Sequence, residues 1–590
     1  MDSDQPAFLG IARSLTGRRW RARTRDDRLA LALTQRLGVP EVVGRVLAGR
    51  GVGLENCDGF LNPTLKALLP DPSSFRDMDV AAARLGLGVK AGERIVIFGD
   101  YDVDGATSAS LLKLYFRSVG VDVGVYVPDR MREGYGPNAA AMKRLAGDRV
   151  TLVITVDCGI SAFDALAAAA EAGLDVVVVD HHLAEPALPR AVAVINPNRV
   201  DETAGHRQLA AVGVTYLLVV ALNRTLRAEG WFKDRPEPNL LQWLDLVALG
   251  TVCDVVPLTG LNRAFVAQGL KVMAERANPG LAALADVAGL REPPGCYHLG
   301  FLLGPRVNAG GRVGKSDLGT RLLTCTDPDE AKALALELDR LNAERRAIEA
   351  MVQEQAAKQI AAGNTEDALL VATGAGWHQG VIGIVAGRLK EQYRRPTFVI
   401  AIDDGIGKGS GRSVPGVDLG AAVTAARQAG LLINGGGHAM AAGITVAADR
   451  IAELTAFLRQ RLAPQMSSIS SAHSLGLDGA LAVSGATPSL IDLLERAGPY
   501  GAGHAEPRFA VTSARVVQAS VVGEKHVRCI LQGQDGSRLK AVAFRALDSA
   551  LGEALLKSAG APLHVAGALR ADHWRGERRA QLIIEDAAAP

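Results

Sequence analysis

Residues 94–105 read RIVIFGDYDVDG. A short β-branched apolar run stops abruptly at Asp100, and further acids follow at Asp102 and Asp104. From Gly105 to about Val119 the chain is helix-compatible. The same phrase recurs downstream. VDVGVYV (121–127), TLVITV (151–156) and DVVVV (175–179) are further strand candidates, separated by helix-like segments such as Ser161–Ala172. Strands alternating with helices predict a parallel α/β sheet. Strands covered on both faces should be continuously apolar, and these are.

Each good strand ends in chemistry. RIVIFG runs into Asp100, Asp102 and Asp104; TLVITV into Asp157-Cys158-Gly159; DVVVV into Asp180-His181-His182. Open α/β sheets bind ligands beyond the carboxyl ends of their strands, so these residues are expected to converge in one crevice. Five carboxylates gathered without counterions would repel, and some would have to remain protonated. Divalent metals resolve the conflict. Carboxylate oxygens with one or two imidazole nitrogens suit Mn²⁺ or a similar ion, and the ligands suffice for two. A two-metal site serves phosphoryl displacement. Asp254, after the apolar run LDLVALGTVC, is placed to close the site. One DxD or one His pair would be unremarkable; three such endings on successive strands point to a metal centre.

Further out, the chain divides by composition. Residues 1–90 read as an irregular or helical lead-in with arginines at 18, 19, 21, 23, 25 and 28 around Trp20, either a solvated basic face or a phosphate-contacting one. Residues 91–260 hold the strands above, and 261–326 form a helical connecting segment. From Asp327 to Gly363 no internal glycine interrupts a helix expected to span about 50 Å at roughly 1.5 Å per residue. Such a helix reads as a connector between domains rather than part of one core. Residues 364–465 form a second, glycine-rich α/β block. Ser467–Ser471 reads as a short linker, and 472–590 as an all-β domain of about five short strands with an Asp-Gly hairpin turn in QDGS, which suits an OB-fold-like barrel.

The residues GDYDVDGATS, VDCG, VVVDHH and GTVCD resemble the four acidic motifs of the DHH phosphoesterase superfamily, and the resemblance runs from FLNPTLKALLPDP (60–72) to the C-terminal barrel. It implies a parallel-sheet DHH domain, a long helix, a smaller α/β DHHA1-type domain and an OB-fold-like barrel. It implies two divalent ions, Mn²⁺ or Mg²⁺, with Asp102, Asp104, Asp157, His181 and Asp254 as direct ligands. Asp100, Asp180 and His182 complete the motifs, as ligands, as groups that orient ligands or, for His182, as a phosphate contact. The glycine-rich block holds Ser410, Arg412 and the signature Gly435-Gly436-Gly437-His438. Glycine runs let backbone amides approach an anion, and Arg412 can bind phosphate bidentately. Arg130 (or its neighbour Arg132), Arg306 and Asn308 are implied as phosphate contacts. In the barrel, Arg570, His573, Trp574, Arg575, Arg578 and Arg579 lie close together, a composition that suits single-stranded DNA or merely an exposed hairpin.

The block order matches superfamily members that degrade single-stranded DNA from the 5′ end to mononucleotides in recombination and repair. Rival readings are a DHH phosphodiesterase for cyclic dinucleotides or short oligonucleotides, and a non-catalytic single-strand-binding scaffold. Implied partners are single-stranded DNA, a single-strand-binding protein and a RecQ-type helicase, with a monomeric chain. Ala309–Ser316 nearly fits a phosphate-binding P-loop, but no buried strand precedes it, so ATP is not expected. Bulk composition agrees without pointing anywhere. The 590 residues carry 65 Lys+Arg against 63 Asp+Glu, a net charge of +2, so an acidic partner must be met by local patches. Six cysteines without a CxxC pair and an acidic N-terminus without a signal-peptide pattern suggest a cytoplasmic protein. Leu209–Leu222, the longest apolar stretch, is too short for a spanning helix of about 20 residues. Only 4% of residues are aromatic, so stacking platforms must be few.

Overall fold

The computed structural model describes residues 6–130, 132–468, 474–558, 560–574 and 577–590. Five parallel strands form the first sheet, in the order Gly124–Tyr126, Ile95–Gly99, Leu152–Val156, Asp175–Val179, Ala193–Ile195. Alternate residues face opposite sides. Ile95, Ile97, Ile154 and Val177 enter one core with the helices Met78–Ala91, Val103–Ser118 and Ala211–Ala228; Val96, Phe98, Val153 and Val176 enter another with Ala139–Gly147 and Phe163–Glu171. Coverage on both faces explains the unbroken apolar runs. Gly99 pairs with Val156, and Val156 with Val179. The next residue of each strand is therefore level: Asp100, Asp157, Asp180. Ala211–Ala228, long and apolar enough to cross a bilayer, is largely buried inside this domain.

The connector helix runs from Pro328 to Ala362, capped by the Asp327 carboxylate on the amides of Asp329 and Glu330. It is more than a connector. Its first half buries Ala331, Leu334, Leu338 and Leu341 in the first domain, and its second half buries Val352, Ala356 and Ile360 against the second. The second sheet has the order Asn434–His438, Ala441–Ala447, Ile406–Arg412, Thr397–Asp403, Leu370–Ala375.

The C-terminal strands Phe509–Val522, His526–Gln532, Arg538–Ala543, Glu577–Ala588 and Pro562–Trp574 close into a five-stranded barrel through pairing of the first with the last. Three of them run to 12 residues or more, longer than expected. The Asp-Gly turn falls where expected, with Gly536 at φ +79°. The proposed linker Ser467–Ser471 lies partly outside the described residues, its first two residues ending the helix Ile451–Ser468.

The lead-in is not a unit of its own. Its last helix, Met78–Ala91, belongs to the first domain. Its first strand, Arg19–Ala22, pairs in parallel with Ser474–Leu477, and the following helices bury Leu33, Val46 and Leu47 against the barrel. Trp20 is fully buried, its indole donating to Asp586 Oδ2 at 2.9 Å. Arg18 and Arg23 turn onto the buried Asp586 and Asp478. The basic cluster is thus partly internal structure, because the C-terminal domain supplies its carboxylates.

Candidate metal centre and phosphate site

The level strand ends deliver what the register promises. One group of donors is Asp100, Asp102 and Asp157; a second is Asp104, His181 and Asp254; within each, the candidate ligand atoms lie within 4.8 Å of one another. Asp157 links the groups, its Oδ1 lying 3.4 Å from His181 Nε2. His181 Nε2 is also 3.5 Å from Asp254 Oδ2 and 3.9 Å from Asp104 Oδ2. Backbone geometry aims the acids. Asp157 sits at φ +60°, and Val255, just after Asp254, at φ +61°; side chains rarely adopt this region, and strain of this kind gathers at functional sites. Asp102 caps the helix Val103–Ser118 through Gly105 N at 3.0 Å. Asp104 accepts from the amides of Ala211 and Val212, at the start of the helix Ala211–Ala228.

The electrostatics favour a cation, because without one several of these carboxyls would carry protons. Burial, then Asp102, pushes Asp104 up to about 7. Burial, then Asp104 and Asp102, pushes Asp254 up to about 9. Asp157 is raised well above the carboxylate range by burial and four neighbouring acids. Burial, then His182, lowers His181 to about 4, so its imidazole is neutral and able to ligate. Asp100 Oδ1, Asp157 Oδ1, Asp254 Oδ2 and His181 Nε2 are buried with no hydrogen-bond partner. Orphaned acceptors of this kind are costly, and those of Asp157 and Asp254 lie 3.4 Å and 3.5 Å from His181 Nε2. The donor set fits divalent Mn²⁺ or Mg²⁺.

Asp180, expected among the metal ligands, is turned into the protein. Its Oδ1 accepts from the amides of His181 (2.7 Å) and His182 (3.1 Å) and bonds the His182 ring at 2.7 Å, while Oδ2 accepts from Ile160 N at 3.0 Å. Burial alone would raise its pKa, but the His182 ring and these N–H groups hold it below the usual range. Asp180 therefore shapes the His181-His182 turn. His182 is half-exposed, and Tyr135 reaches over it, donating to the Asp157 carbonyl at 2.9 Å. Tyr135, five positions after Arg130, was not expected here; a hydroxyl that acts on a backbone carbonyl leaves no trace in sequence.

A cationic wall adjoins the acids. The Arg130 guanidinium stacks over Tyr101 at 5.0 Å, and burial, then the Arg130 charge, lowers the pKa of Arg312 and Arg412. Arg130 rather than Arg132 is thus the arginine beside the acids. Arg306 is instead taken up by Asp339 at 2.9 Å and by the Leu302 carbonyl. Arg312, half-buried, lowered to about 10 by burial and then Arg130, and donating to Gly380 O at 2.9 Å, stands nearer the acids. Asn308 lies in the helix Gly304–Val313, half-buried. That helix follows a π-helical turn, His298–Leu303, rather than a strand, which disposes of the P-loop pattern. Arg412 bonds Ser410 Oγ at 3.1 Å, beside the first turns of the helix Gln379–Tyr393. A Cβ at Gly383 would lie 2.9 Å from Ser410 Oγ and 3.1 Å from Arg412, so only glycine leaves room there. Arginines at a helix N-terminus form an anion site. Ser410 pairs with Gly443 and Gly443 with Gly436; Arg412 pairs with Ala441 and Ala441 with His438. Ser410, Arg412, Gly436 and His438 therefore share one sheet face, while Gly437 between them belongs to the row of Ala442 and Gly411 on the other.

In the barrel the expected contacts are less open. Arg578 pairs with Asp492 and Glu495, and Arg579 with Glu577. The Trp574 side chain and Arg575 lie outside the described residues. A groove of about 280 Å³ on the barrel is lined instead by Gln518, Arg528, Lys540, Asp572 and Gln581.

A parallel sheet with acids and histidines at its strand ends, a long helix and a second α/β domain define a DHH-type phosphoesterase. Family models agree: DHH family, N-terminal domain, over residues 94–251; DHHA1 domain over 366–463; RecJ OB domain over 477–586. The chain is 39% identical over 567 residues to the single-stranded-DNA-specific exonuclease RecJ of Dickeya dadantii, covering 93% of this chain and 96% of that one. It is 36% identical to the Escherichia coli protein of the same name, over the same shares. The crystal structure of Thermus thermophilus RecJ in complex with Mn²⁺ superposes with a TM-score of 0.80 at 29% identity, covering 95% of this chain and 78% of that one. The corresponding Mg²⁺ complex gives 0.74 at 28%, covering 95% and 77%. The chain belongs to the RecJ family.

Proposed function

We propose that this chain is a metal-dependent exonuclease that hydrolyses single-stranded DNA from the 5′ end to 5′-mononucleotides, in DNA recombination and repair. The observation that carries the reading is the two neighbouring donor groups, joined where Asp157 Oδ1 lies 3.4 Å from His181 Nε2, beside the arginines at 130, 312 and 412. Asp100, Asp102 and Asp157 would hold one cation, and Asp104, His181 and Asp254 the other. Bound there, divalent ions make water nucleophilic near neutral pH and stabilise the attacking and leaving oxygens of the phosphodiester. The chain's own residues do the rest. Asp180 fixes the imidazole of His181 through the backbone, and Tyr135 braces the Asp157 turn. Arg130, Arg312, Arg412 and Ser410 hold the phosphate of the strand terminus, so that the first linkage lies over the acids. Arginine suits this role because its planar fork matches phosphate oxygens.

The test uses 5′-labelled single-stranded DNA, the matching duplex, RNA and a cyclic dinucleotide, each with Mn²⁺ and with chelator. Labelled mononucleotide should appear only from the single DNA strand and only with metal; preference for the cyclic dinucleotide would overturn the reading. Asp157→Ala should abolish cleavage and leave the chain folded. A monomeric, cytoplasmic enzyme acting with a single-strand-binding protein and a RecQ-type helicase completes the proposal; sedimentation and co-purification check it.

A further inference from the structure

Tyr297 and Phe301 are 55% and 70% exposed, and their rings stack on each other at 5.2 Å with 24° between planes. Isolated exposed apolar side chains are ordinary. Two rings stacked in solvent, in a chain with so few aromatics, are less so.

Their position is specific on both sides. The π-helical turn His298–Leu303 carries Phe301, and such turns are frequent at functional sites. It is seated on the end of the helix that presents Asp254: Cys253 Sγ donates to the Leu299 carbonyl at 3.4 Å, and Gly300 faces Val252. The rings are thus fastened to the residues just before a metal ligand. On the other side, Tyr297 lies within electrostatic reach of Arg570 on the barrel. Arg570 pairs in register with Gln581, and Gln581 with Lys540. Gln581 and Lys540 line the barrel groove with Arg528. The rings are therefore seated on the helix end before Asp254. On the barrel side Arg570, itself paired with Glu506, shares a register row with the groove residues Gln581 and Lys540, the latter paired with Asp572 beside Arg528.

We propose that Tyr297 and Phe301 form a base-stacking step for the substrate strand between the metal centre and the barrel groove. The ligand is an unpaired nucleobase of a single-stranded nucleic acid. Every base has a π-face, so stacking tolerates any sequence, and it contributes about 1–3 kcal/mol per base. In a duplex those faces are already covered by neighbouring base pairs. The rings therefore favour an unpaired strand without reading its sequence.

This inference rests on the single-strand reading above. Its test measures binding of a 5′-phosphorylated oligothymidylate of about twelve residues in chelator, where nothing is cleaved. Phe301→Ala should weaken binding about tenfold and leave binding of thymidine monophosphate unchanged. Phe301→Trp should retain affinity, and its added emission should be quenched by the oligonucleotide and not by the mononucleotide. An abasic nucleotide at the position facing the rings should reproduce the loss in the wild type and add nothing in Phe301→Ala. Unchanged affinity in Phe301→Ala together with unquenched Phe301→Trp would overturn the proposal. So would an equal loss toward the mononucleotide, which would mean that the variant disturbs the Asp254 loop. Failure of the wild type to bind or degrade the oligonucleotide would sink the single-strand reading itself; wild-type binding beside an indifferent variant sinks only the stacking step.

Discussion

Asp180→Asn separates a residue that holds the metal from one that holds the turn. The Asp180 carboxylate receives the amides of Ile160, His181 and His182 and the ring of His182, all while fully buried. An asparagine keeps one acceptor oxygen. Turned toward the two histidines, it presents its NH₂ to Ile160 N–H, and a buried donor loses its partner at a cost of about 1–3 kcal/mol. Turned the other way, it abandons three donors. The bond to His182 also loses its ionic character. The fold should survive with lower stability, and the His181 imidazole should be less well held. Removal of such an orienting group typically costs about 10–100-fold in metal affinity or activity. Mn²⁺ titration by calorimetry, with urea unfolding of the same preparations, measures both quantities. Wild-type affinity and stability would refute the positioning role. Abolition of binding as complete as in Asp157→Ala would place Asp180 on the metal instead.

Other perturbations have equally definite outcomes. Asp245 is buried at the start of the helix that ends at Asp254, and burial pushes it up to about 7. Its folded pKa exceeds its unfolded one, so the folded state binds more protons between about pH 4 and 7, and stability falls as pH rises through that window. Asp245→Asn should flatten this part of the profile and gain up to about 4 kcal/mol over wild type at pH 8; identical unfolding curves at pH 5 and 8 for both proteins would refute it. A methyl at Gly250 would lie 2.3 Å from Thr107 Oγ1 and 3.1 Å from Asp104 Oδ1. Gly250→Ala should therefore destabilise the chain by about 1–3 kcal/mol and reduce the thermal stabilisation conferred by Mn²⁺, measured by melting with and without the ion. Trp20→Phe removes the bond to Asp586 and should lower unfolding free energy by about 1–3 kcal/mol with no change in oligonucleotide affinity; weakened DNA binding at unchanged stability would return Trp20 to the surface.

The first sheet was legible because its signal is local. A run such as TLVITV can hardly be anything but a strand covered on both faces, and a parallel register then sets Asp100, Asp157 and Asp180 level. Legibility ended where function depended on direction. Asp180 and Asp157 look alike in sequence, yet one faces four N–H groups and the other an orphaned imidazole. Arg306 and Arg312 were both within reach of reading, but six positions on a helix rotate a side chain by about 240°, and only the known helix decides which of them meets Arg130. The barrel arginines could not be placed for another reason: Asp492, Glu495 and Glu577 engage Arg578 and Arg579, and the first two of these lie more than 80 positions away. The division of the lead-in depends on contacts across almost the whole chain, which no local pattern records.

That last feature bears on how the protein is made. Trp20 and Asp586 are separated by 566 positions, and Leu15 donates to the carbonyl of Ala587. The segment around Leu15 and Trp20 is made before its partners at 586 and 587, and these contacts close only once Glu577–Ala588 has followed. Domains generally fold as units while synthesis proceeds, so the two α/β domains can assemble while the opening strand and its helices wait, apolar faces uncovered. Loop closure over such a distance adds little to the equilibrium cost, since that cost grows only logarithmically with length. Its burden is one of timing: synthesis halted before Glu577–Ala588 leaves a chain whose acidic site is already made and whose Trp20 still lacks Asp586.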